Sequence, residues 1–302
     1  MSRSPTVFVL GAGASAPYGF PLGGKLLMEI YKGIGPSNNE SEGGSLAHQL
    51  REYGFDPQEV YSFRDDLYRS QQPSVDAFLE NRKEYMEIGK AVIAAALIPY
   101  EREIKLFRHD WYEYLFGIIA PTPGAFIESN LSIITFNYDR SFEHCLFTAL
   151  KASFGLSDVR AVDLLSNLPV VHVHGQLGGL PYLAEDAPRP YEDTVTPEIV
   201  KSAASRIRII HEVDGLGPEF GRAHELIGRA SKVCFLGFGY HYANVERLQI
   251  NELFSSEVLG TGFGLENAER NRVHRLFSRG MNDMGSPNLD VLGFLRSHPV
   301  FD

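Results

Sequence analysis

Four polar residues follow two apolar runs of this chain, and their types suit chemistry on a polar substrate near neutral pH. Asn137 and Asp139 lie in TFNYD, where the run LSIITF ends, and His172 and His174 close the run LPVVHVH. An imidazole titrates near neutrality, so His174 is a candidate general base. The Asn137 amide offers both a donor and an acceptor, so it can orient a water or a ribose hydroxyl without adding charge.

Structural roles for the same side chains compete with this interpretation. A single histidine at a strand end can be a buried residue that is hydrogen-bonded for stability, and Asn137 or Asp139 can cap the helix predicted through FEHCLFTAL. In a regular strand His172 and His174 would share a face, which raises the alternative of a metal pair. Two ligands are too few for a typical site, and no Asp, Glu or Cys nearby has the spacing to complete one.

A glycine-rich turn near the start of the chain suggests a ligand with phosphate groups. The run TVFVLGAGASAPYGFPLG changes at Gly11 from large apolar residues to residues with almost no side chain. Backbone N–H groups at the start of a helix can hold a pyrophosphate without lysine or arginine. The residues predicted to contact it are Gly11, Ala12, Gly13, Ala14 and Ser15.

The same turn partly fits two common nucleotide-binding motifs. Gly11, Gly13 and Ala16 fit the dinucleotide fingerprint, but a dehydrogenase also needs a second strand ending in Asp or Glu about twenty residues on, where this chain is helical and then polar. Gly19, Gly24 and Lys25 fit the first part of a P-loop, yet Leu26 replaces the Ser or Thr that binds magnesium and no strand directly precedes the motif. Alternatively, the small residues only allow a helix to pack closely on a strand.

The elements that must position these residues are buried strands alternating with helices. Short apolar runs predict strands at 7–10, 131–136, 168–174 and 232–238. Such strands indicate an α/β fold with a mostly parallel sheet and helices on both faces, and ligands then bind beyond the carboxyl ends of the strands. Residues 33–46 have loop composition and residues 47–117 show helical spacing. We therefore predict a Rossmann-like domain from residues 1–34 and 125–302, with a helical insertion at 35–124.

Composition excludes several classes of protein. The 302 residues carry a formal net charge of −10, which argues against a nucleic-acid partner held by general electrostatics. Two cysteines, Cys145 and Cys234, form neither a zinc motif nor a readable disulfide framework, which favours a reducing, cytoplasmic setting. No secretory signal is recognisable, and the run AVIAAALI is too short to span a bilayer, so no membrane segment is expected.

Taken in order, the segments GAGASAPYGFP, TFNYD, VHVHG and LGFG resemble the sirtuin series. They are more closely similar to the bacterial sirtuin-like NAD-cleaving proteins of antiphage defence, in which SVDAFLE and GTGFGLENAER also have counterparts; the resemblance covers about a third of the chain. The chain departs from sirtuin deacylases in lacking four zinc-binding cysteines, in residues 22–24, and in Phe136, where a glutamine is usual. These departures put protein deacylation in doubt.

The resemblance implies an NAD+ hydrolase that releases nicotinamide and ADP-ribose, with Asn137 and His174 in catalysis and Asp139 on the nicotinamide side. It also implies Gly237 and Gly239 near the adenine-side ribose and Thr261 at the nucleotide, although a simple tight turn explains Thr261 equally well. NAD+ would be the substrate, with no zinc or other cofactor. Phe136, Tyr138 and Tyr240 would wall the pocket or belong to the core.

The same resemblance implies control by self-assembly into a homo-oligomer or by a partner, which in this family can be a HerA-like ATPase or an Argonaute-type protein. Two alternatives stay open. One is a module that senses NAD or ADP-ribose without turning it over, and the other is ADP-ribosyl transfer to a protein.

Overall fold

Six parallel strands form a single sheet at the centre of the protein. The computed structural model describes residues 3–36, 45–183, 185–209, 217–250, 256–277 and 281–301. The strand order is β3-β2-β1-β4-β5-β6, which is the order of the doubly wound dinucleotide-binding fold. The strands are β1 (Thr6–Leu10), β2 (Leu131–Thr135), β3 (Val170–His172), β4 (Lys232–Leu236), β5 (Glu257–Gly260) and β6 (Asp283–Met284).

Helices make every described connection between consecutive strands. Between β1 and β2 lie α1 (Ala12–Ser15), α2 (Gly23–Ile34), α3 (Ser45–Glu52), α4 (Pro57–Arg69), α5 (Val75–Leu79), α6 (Met86–Leu97), α7 (Trp111–Ile119) and α8 (Pro123–Ile127). The later connections contain α9 (Ser141–Phe154), α10 (Asp158–Leu165), α11 (Pro197–Arg206), α12 (Gly217–Arg229), α13 (Tyr242–Arg247) and α14 (Asn267–Leu276), and α15 (Val291–Ser297) follows β6.

The sheet is covered on both faces, which explains why its strands are apolar throughout. All five residues of β1 are buried. Successive side chains of a strand point to opposite faces, and accordingly Phe8 and Leu10 belong to one hydrophobic cluster while Val7 and Val9 belong to another. Side chains of α1 to α11 and of α15 contribute to the first cluster, and side chains of α12 to α14 contribute to the second.

The predicted α/β fold with a parallel sheet is confirmed. The strand predicted at 168–174 is shorter than expected, because the chain turns after His172 and the Gly175 amide donates to the His172 carbonyl at 3.2 Å. The central part of the loop predicted at 33–46, residues 37–44, lies outside the described residues. The division into a domain and an insertion stays a prediction, and one hydrophobic cluster contains side chains from both parts. No described helix is long and apolar enough to cross a bilayer.

A buried group of three charges joins distant parts of the chain. Glu101, which precedes α7, accepts hydrogen bonds from the guanidinium groups of Arg140 and Arg189. All three residues are buried. Arg140 also donates to the carbonyls of Gly179 at 3.1 Å and Arg189 at 2.7 Å, so it fixes the loop after β3 to the start of α9. Burying charge is costly unless every charge is paired and hydrogen-bonded, as these are.

Glu101→Gln should destabilise the protein strongly, because it leaves two buried guanidinium groups without a carboxylate. Breaking a buried ion pair from one side costs about 3–5 kcal/mol of unfolding free energy. Glu103→Gln is the matched control, because the Glu103 side chain is 56% exposed and near the same loop, and it should cost less than about 1 kcal/mol. Urea denaturation of the two variants measures the difference, and equal stabilities would contradict a structural role for the buried charges.

Candidate functional site

The candidate site lies at the carboxyl edge of the sheet, where β1 and β4 are neighbours. In this strand order the connections leave β1 and β4 toward opposite faces, which opens a crevice for ligands at that point. All strands are parallel, so the turns that follow them meet at this one edge. The sequence-predicted residues Gly11, Asn137, His174, Gly237 and Thr261 are therefore all located at the same end of the sheet.

The glycine turn after β1 packs directly against the turn after β4. A Cβ atom at Gly11 or Gly13 would lie 2.7 or 2.8 Å from the Gly237 carbonyl oxygen. Gly237 has a φ of +57°, and a Cβ there would lie 2.1 Å from the Ala14 nitrogen. The nearest group to these glycines is therefore protein backbone. The Gly13 amide donates to the Gly237 carbonyl at 2.9 Å, so it is engaged before any pyrophosphate arrives.

The rest of the predicted phosphate-binding turn is short. Ala12 to Ser15 form a single helical turn, α1, and a 3₁₀ turn follows from Ala16 to Tyr18. The Ala14 amide donates to the Gly11 carbonyl at 2.9 Å, and Ala14 itself is fully buried. Ala12 and Gly13 are partly exposed at the crevice. Contact between this turn and a pyrophosphate stays a prediction, with Ala12 as its most accessible uncommitted position.

Asn137 is held by the glycine turn and keeps one atom available. Its Nδ2 donates to the Gly11 carbonyl and to the Ser15 hydroxyl, each at 3.0 Å. A carbonyl can only accept, so these contacts fix the orientation of the amide. Within the described part of the chain no group donates to Oδ1 of Asn137. That oxygen can accept a hydrogen bond from a water or a ribose hydroxyl.

Asp139 lies beneath Asn137 in a buried hydrogen-bond network. Its carboxylate accepts from the Ser15 hydroxyl at 2.8 Å and from the Ser141 amide at 3.1 Å. Desolvation by burial raises the pKa of Asp139, although the two serines oppose this effect. The adjoining cavity, which Tyr112 also lines, has a volume of about 10 Å³, enough for one water. The network holds the Ser15 hydroxyl, which in turn accepts a hydrogen bond from Asn137. Contact of Asp139 with nicotinamide stays a prediction.

His174 lies in a turn rather than in the strand where it was predicted. Its backbone carbonyl accepts from the Arg208 amide at 2.8 Å, and its Nδ1 lies 3.4 Å from the Arg208 carbonyl. A carbonyl cannot donate, so this contact favours the tautomer that carries hydrogen on Nδ1 and leaves Nε2 as the basic atom. A Cβ at the next residue, Gly175, would lie 1.9 Å from the Arg206 carbonyl oxygen, so the glycine of VHVHG is required sterically.

The surroundings of His174 combine aromatic rings with charges that the sequence did not reveal. The ring centroids of Phe136 and Tyr138 lie 5.3 and 6.3 Å from the His174 ring. Burial lowers the pKa of His174, and the carboxylate of Asp76 opposes that effect. Asp76 belongs to α5 and accepts a hydrogen bond from the Tyr138 hydroxyl. The motif SVDAFLE signalled this segment, but spacing alone could not show which turn it faces.

Glu80 brings a second carboxylate from the same segment to this side of the site. It forms a bidentate pair with Arg247, at 3.0 and 3.1 Å. Both residues influence the pKa of His174, which Arg247 lowers and Glu80 raises. The pair joins α5 to α13, so the helical segment between β1 and β2 contributes charge next to the candidate base.

The strand ends at His172, so His172 and His174 do not share a strand face as the metal-pair alternative assumed. His172 instead pairs with Glu143 of α9, with 2.6 Å between Nε2 and Oε1. Its Nδ1 lies 3.0 Å from the Asn137 carbonyl oxygen. Among the described residues no group of three His, Cys, Asp or Glu side chains is placed to hold a metal ion. Glu143 was not foreseen, because it lies within a helix pattern that has no chemical signature.

The remaining predicted residues hold the turn after β4. The Thr261 hydroxyl accepts from the Gly237 amide at 2.9 Å, and the Tyr240 hydroxyl donates to the Thr261 carbonyl at 2.9 Å. Both Thr261 and Tyr240 are buried, which fits the core alternative stated for Tyr240, and contact of Thr261 with a nucleotide stays a prediction. Gly239 is exposed, and a Cβ there would meet nothing within 4 Å.

Comparison with known proteins assigns no family to this chain. No protein-family model matches the sequence, and no curated protein matches it.

Gly237→Ala should damage the site and the fold together, whereas Gly239→Ala should be nearly neutral. The first change places a methyl group against the Ala14 backbone at a positive φ, which should cost about 3 kcal/mol or more. The second adds a methyl group in open space. Thermal unfolding of the two variants tests the close contact between the turns, and a stable Gly237→Ala variant would contradict it.

Proposed function

We propose that this chain is an NAD+ hydrolase, which cleaves NAD+ to nicotinamide and ADP-ribose. The observation that carries the proposal is the uncommitted Oδ1 of Asn137, held beside the glycine turn at the crevice of a dinucleotide-binding sheet. A second support is His174, because burial lowers its pKa and keeps it neutral at cellular pH. The ordered resemblance to sirtuin-like NAD-cleaving proteins gives the substrate.

The chemistry requires few groups. The nicotinamide leaves as a neutral molecule from a cationic ring, so its departure needs no general acid. Oδ1 of Asn137 would accept a hydrogen bond from the attacking water or from a ribose hydroxyl and so orient it. Nε2 of His174 would then take the proton as the new bond to the ribose carbon forms.

The charges near His174 suit this reaction. The transition state of N-glycosidic cleavage carries positive charge on the ribose ring, and fixed negative groups nearby favour such charge. Asp76 and Glu80 supply carboxylates on this side of the site, and Glu80 is balanced by Arg247. The chain as a whole carries a formal charge of −10, so the dianionic pyrophosphate would depend on local backbone donors.

The resemblance also supports a role in bacterial antiphage defence through NAD+ depletion in the cytoplasm. Uncontrolled NAD+ cleavage would harm the host, so the activity must be controlled. We infer control by self-assembly into a homo-oligomer or by a HerA-like ATPase or Argonaute-type partner.

One observation favours a sensor that binds the nucleotide without turnover. The Ser15 hydroxyl accepts a hydrogen bond from Asn137 and donates one to Asp139, and the cavity beside them has a volume of only about 10 Å³. Such a satisfied network resembles a structural support. A sensor would bind NAD+ and ADP-ribose equally well with or without the His174 imidazole.

Nicotinamide release from NAD+ should be fast for the wild-type protein and about 10²–10⁴-fold slower for His174→Ala, because a general base contributes that much to kcat. Asn137→Ala should show a similar loss. His144→Ala is the matched control, since His144 is a part-buried histidine on α9 that contacts Glu103 and Tyr182. Calorimetry should show NAD+ binding by His174→Ala. Binding by all variants without any turnover would favour the sensor.

Self-assembly should appear as a mass that grows with protein concentration in size-exclusion chromatography with light scattering. A single monomeric mass over the whole concentration range would contradict control by self-assembly and shift the proposal toward a partner protein.

A further inference from the structure

We propose that His172 and Glu143 form a charged pair that positions Asn137 for the reaction, and that loss of the His172 charge sets the alkaline limit of activity. The proposal rests on the proposed function where turnover is measured. It makes His172 and Glu143 positioning residues, which act on the substrate only through Asn137.

Both ring nitrogens of His172 face atoms that can only accept a hydrogen bond. Nδ1 is 3.0 Å from the Asn137 carbonyl oxygen, and Nε2 is 2.6 Å from Oε1 of Glu143. A neutral imidazole carries one N–H, so it would leave a lone pair facing one of these oxygens. The imidazolium form donates to both. The two contacts therefore select the charged histidine on geometric grounds.

The preference for the charged histidine is strengthened by burial, because water cannot replace a missing hydrogen bond there. The side chains of His172 and Glu143 are only 9% and 7% exposed. Burial is the largest single effect and lowers the pKa of His172, but the Glu143 carboxylate and the contact with the Asn137 carbonyl act against it, and the net shift is upward. Asp139, in the turn after β2, adds to the upward shift. A charge-assisted pair at 2.6 Å also belongs to the stronger class of hydrogen bonds.

The pair controls Asn137 through its backbone. The Asn137 amide donates to the Thr135 hydroxyl at 3.0 Å, and the Asn137 side chain is tied to Gly11 and Ser15. Of these contacts, only the one from His172 to the carbonyl depends on a titrating donor. When His172 loses a proton, the remaining N–H stays with the Glu143 carboxylate, and a bare Nδ1 faces the Asn137 carbonyl. The resulting repulsion displaces the residue whose Oδ1 must orient the nucleophile.

The pKa values of the two histidines of VHVHG are shifted in opposite directions. Burial lowers the pKa of His174, with Arg247 acting in the same direction and Asp76 and Glu80 opposing it. The pKa of His172 is raised. Activity requires neutral His174 and charged His172, so the pH profile of kcat should be bell-shaped. Its acid limb lies below the ordinary histidine pKa of 6.5 and its alkaline limb above it.

The charge is tested without activity by nuclear magnetic resonance of the full chain labelled with ¹⁵N-histidine. We expect both ring nitrogens of His172 to be protonated at about pH 7.5, with the signals assigned from their loss in His172→Gln. Glu143→Gln should convert the ring to a neutral tautomer and shift the Asn137 side-chain amide signal. Glu103→Gln, which alters the His144 contact on the same helix, should change neither. A neutral His172 in the wild-type protein overturns the proposal, even where Glu143→Gln fails to fold.

Kinetics test the positioning role. Glu143→Gln should move the alkaline limb of kcat to lower pH and reduce kcat at about pH 8 by about tenfold to a hundredfold, with little change in KM. Glu143→Asp should restore part of the loss, and Glu103→Gln should match the wild-type profile. An unmoved alkaline limb in Glu143→Gln would overturn the positioning role. If the wild-type protein releases no nicotinamide either alone or in its assembled or partner-bound form, the proposed function fails, while the ring-nitrogen and Asn137 amide signals still decide on the pair.

Discussion

The contact between the turns after β1 and β4 is the constraint on which the rest of the site depends. Two backbone segments approach so closely that Gly13 and Gly237 admit no side chain, and a hydrogen bond joins them at 2.9 Å. This contact lies at the sheet edge where the doubly wound fold has its crevice. The Gly11 carbonyl is thereby fixed, and it in turn accepts from the Asn137 side chain.

From that carbonyl a series of hydrogen bonds links the glycine turn to the other turns of the site. Asn137 joins the glycine turn to the turn after β2, and His172 joins that turn to the end of β3 and to Glu143 of α9. The candidate base His174 stands apart from this chain of contacts, held by Arg208 and surrounded by carboxylates from α5.

The sequence predicted the sheet, its parallel strands and the turns at its carboxyl edge, because buried strands and glycine turns leave periodic and local signals. It did not predict why Gly11 and Gly13 are glycines, because the group that approaches them is the Gly237 backbone, more than two hundred residues further along the chain. Asp76, Glu80 and Glu143 were missed for a related reason. The residues next to a carboxylate in a helix do not indicate which charge or ring it will contact from another part of the fold. The regular strand expected through His174 was also wrong, because a turn at Gly175 needs the distant Arg206 backbone to explain it.

The two edge strands of the sheet are short, and this affects how copies of the chain can associate. β3 has three residues and β6 has two, so each border of the sheet offers a second molecule only a brief ladder of backbone groups. Short edge strands protect a protein against edge-to-edge strand pairing with another chain, which leads to aggregation. We therefore expect an ordered assembly of the described part of the chain to form through its helical exterior, by side-chain packing rather than by strand addition.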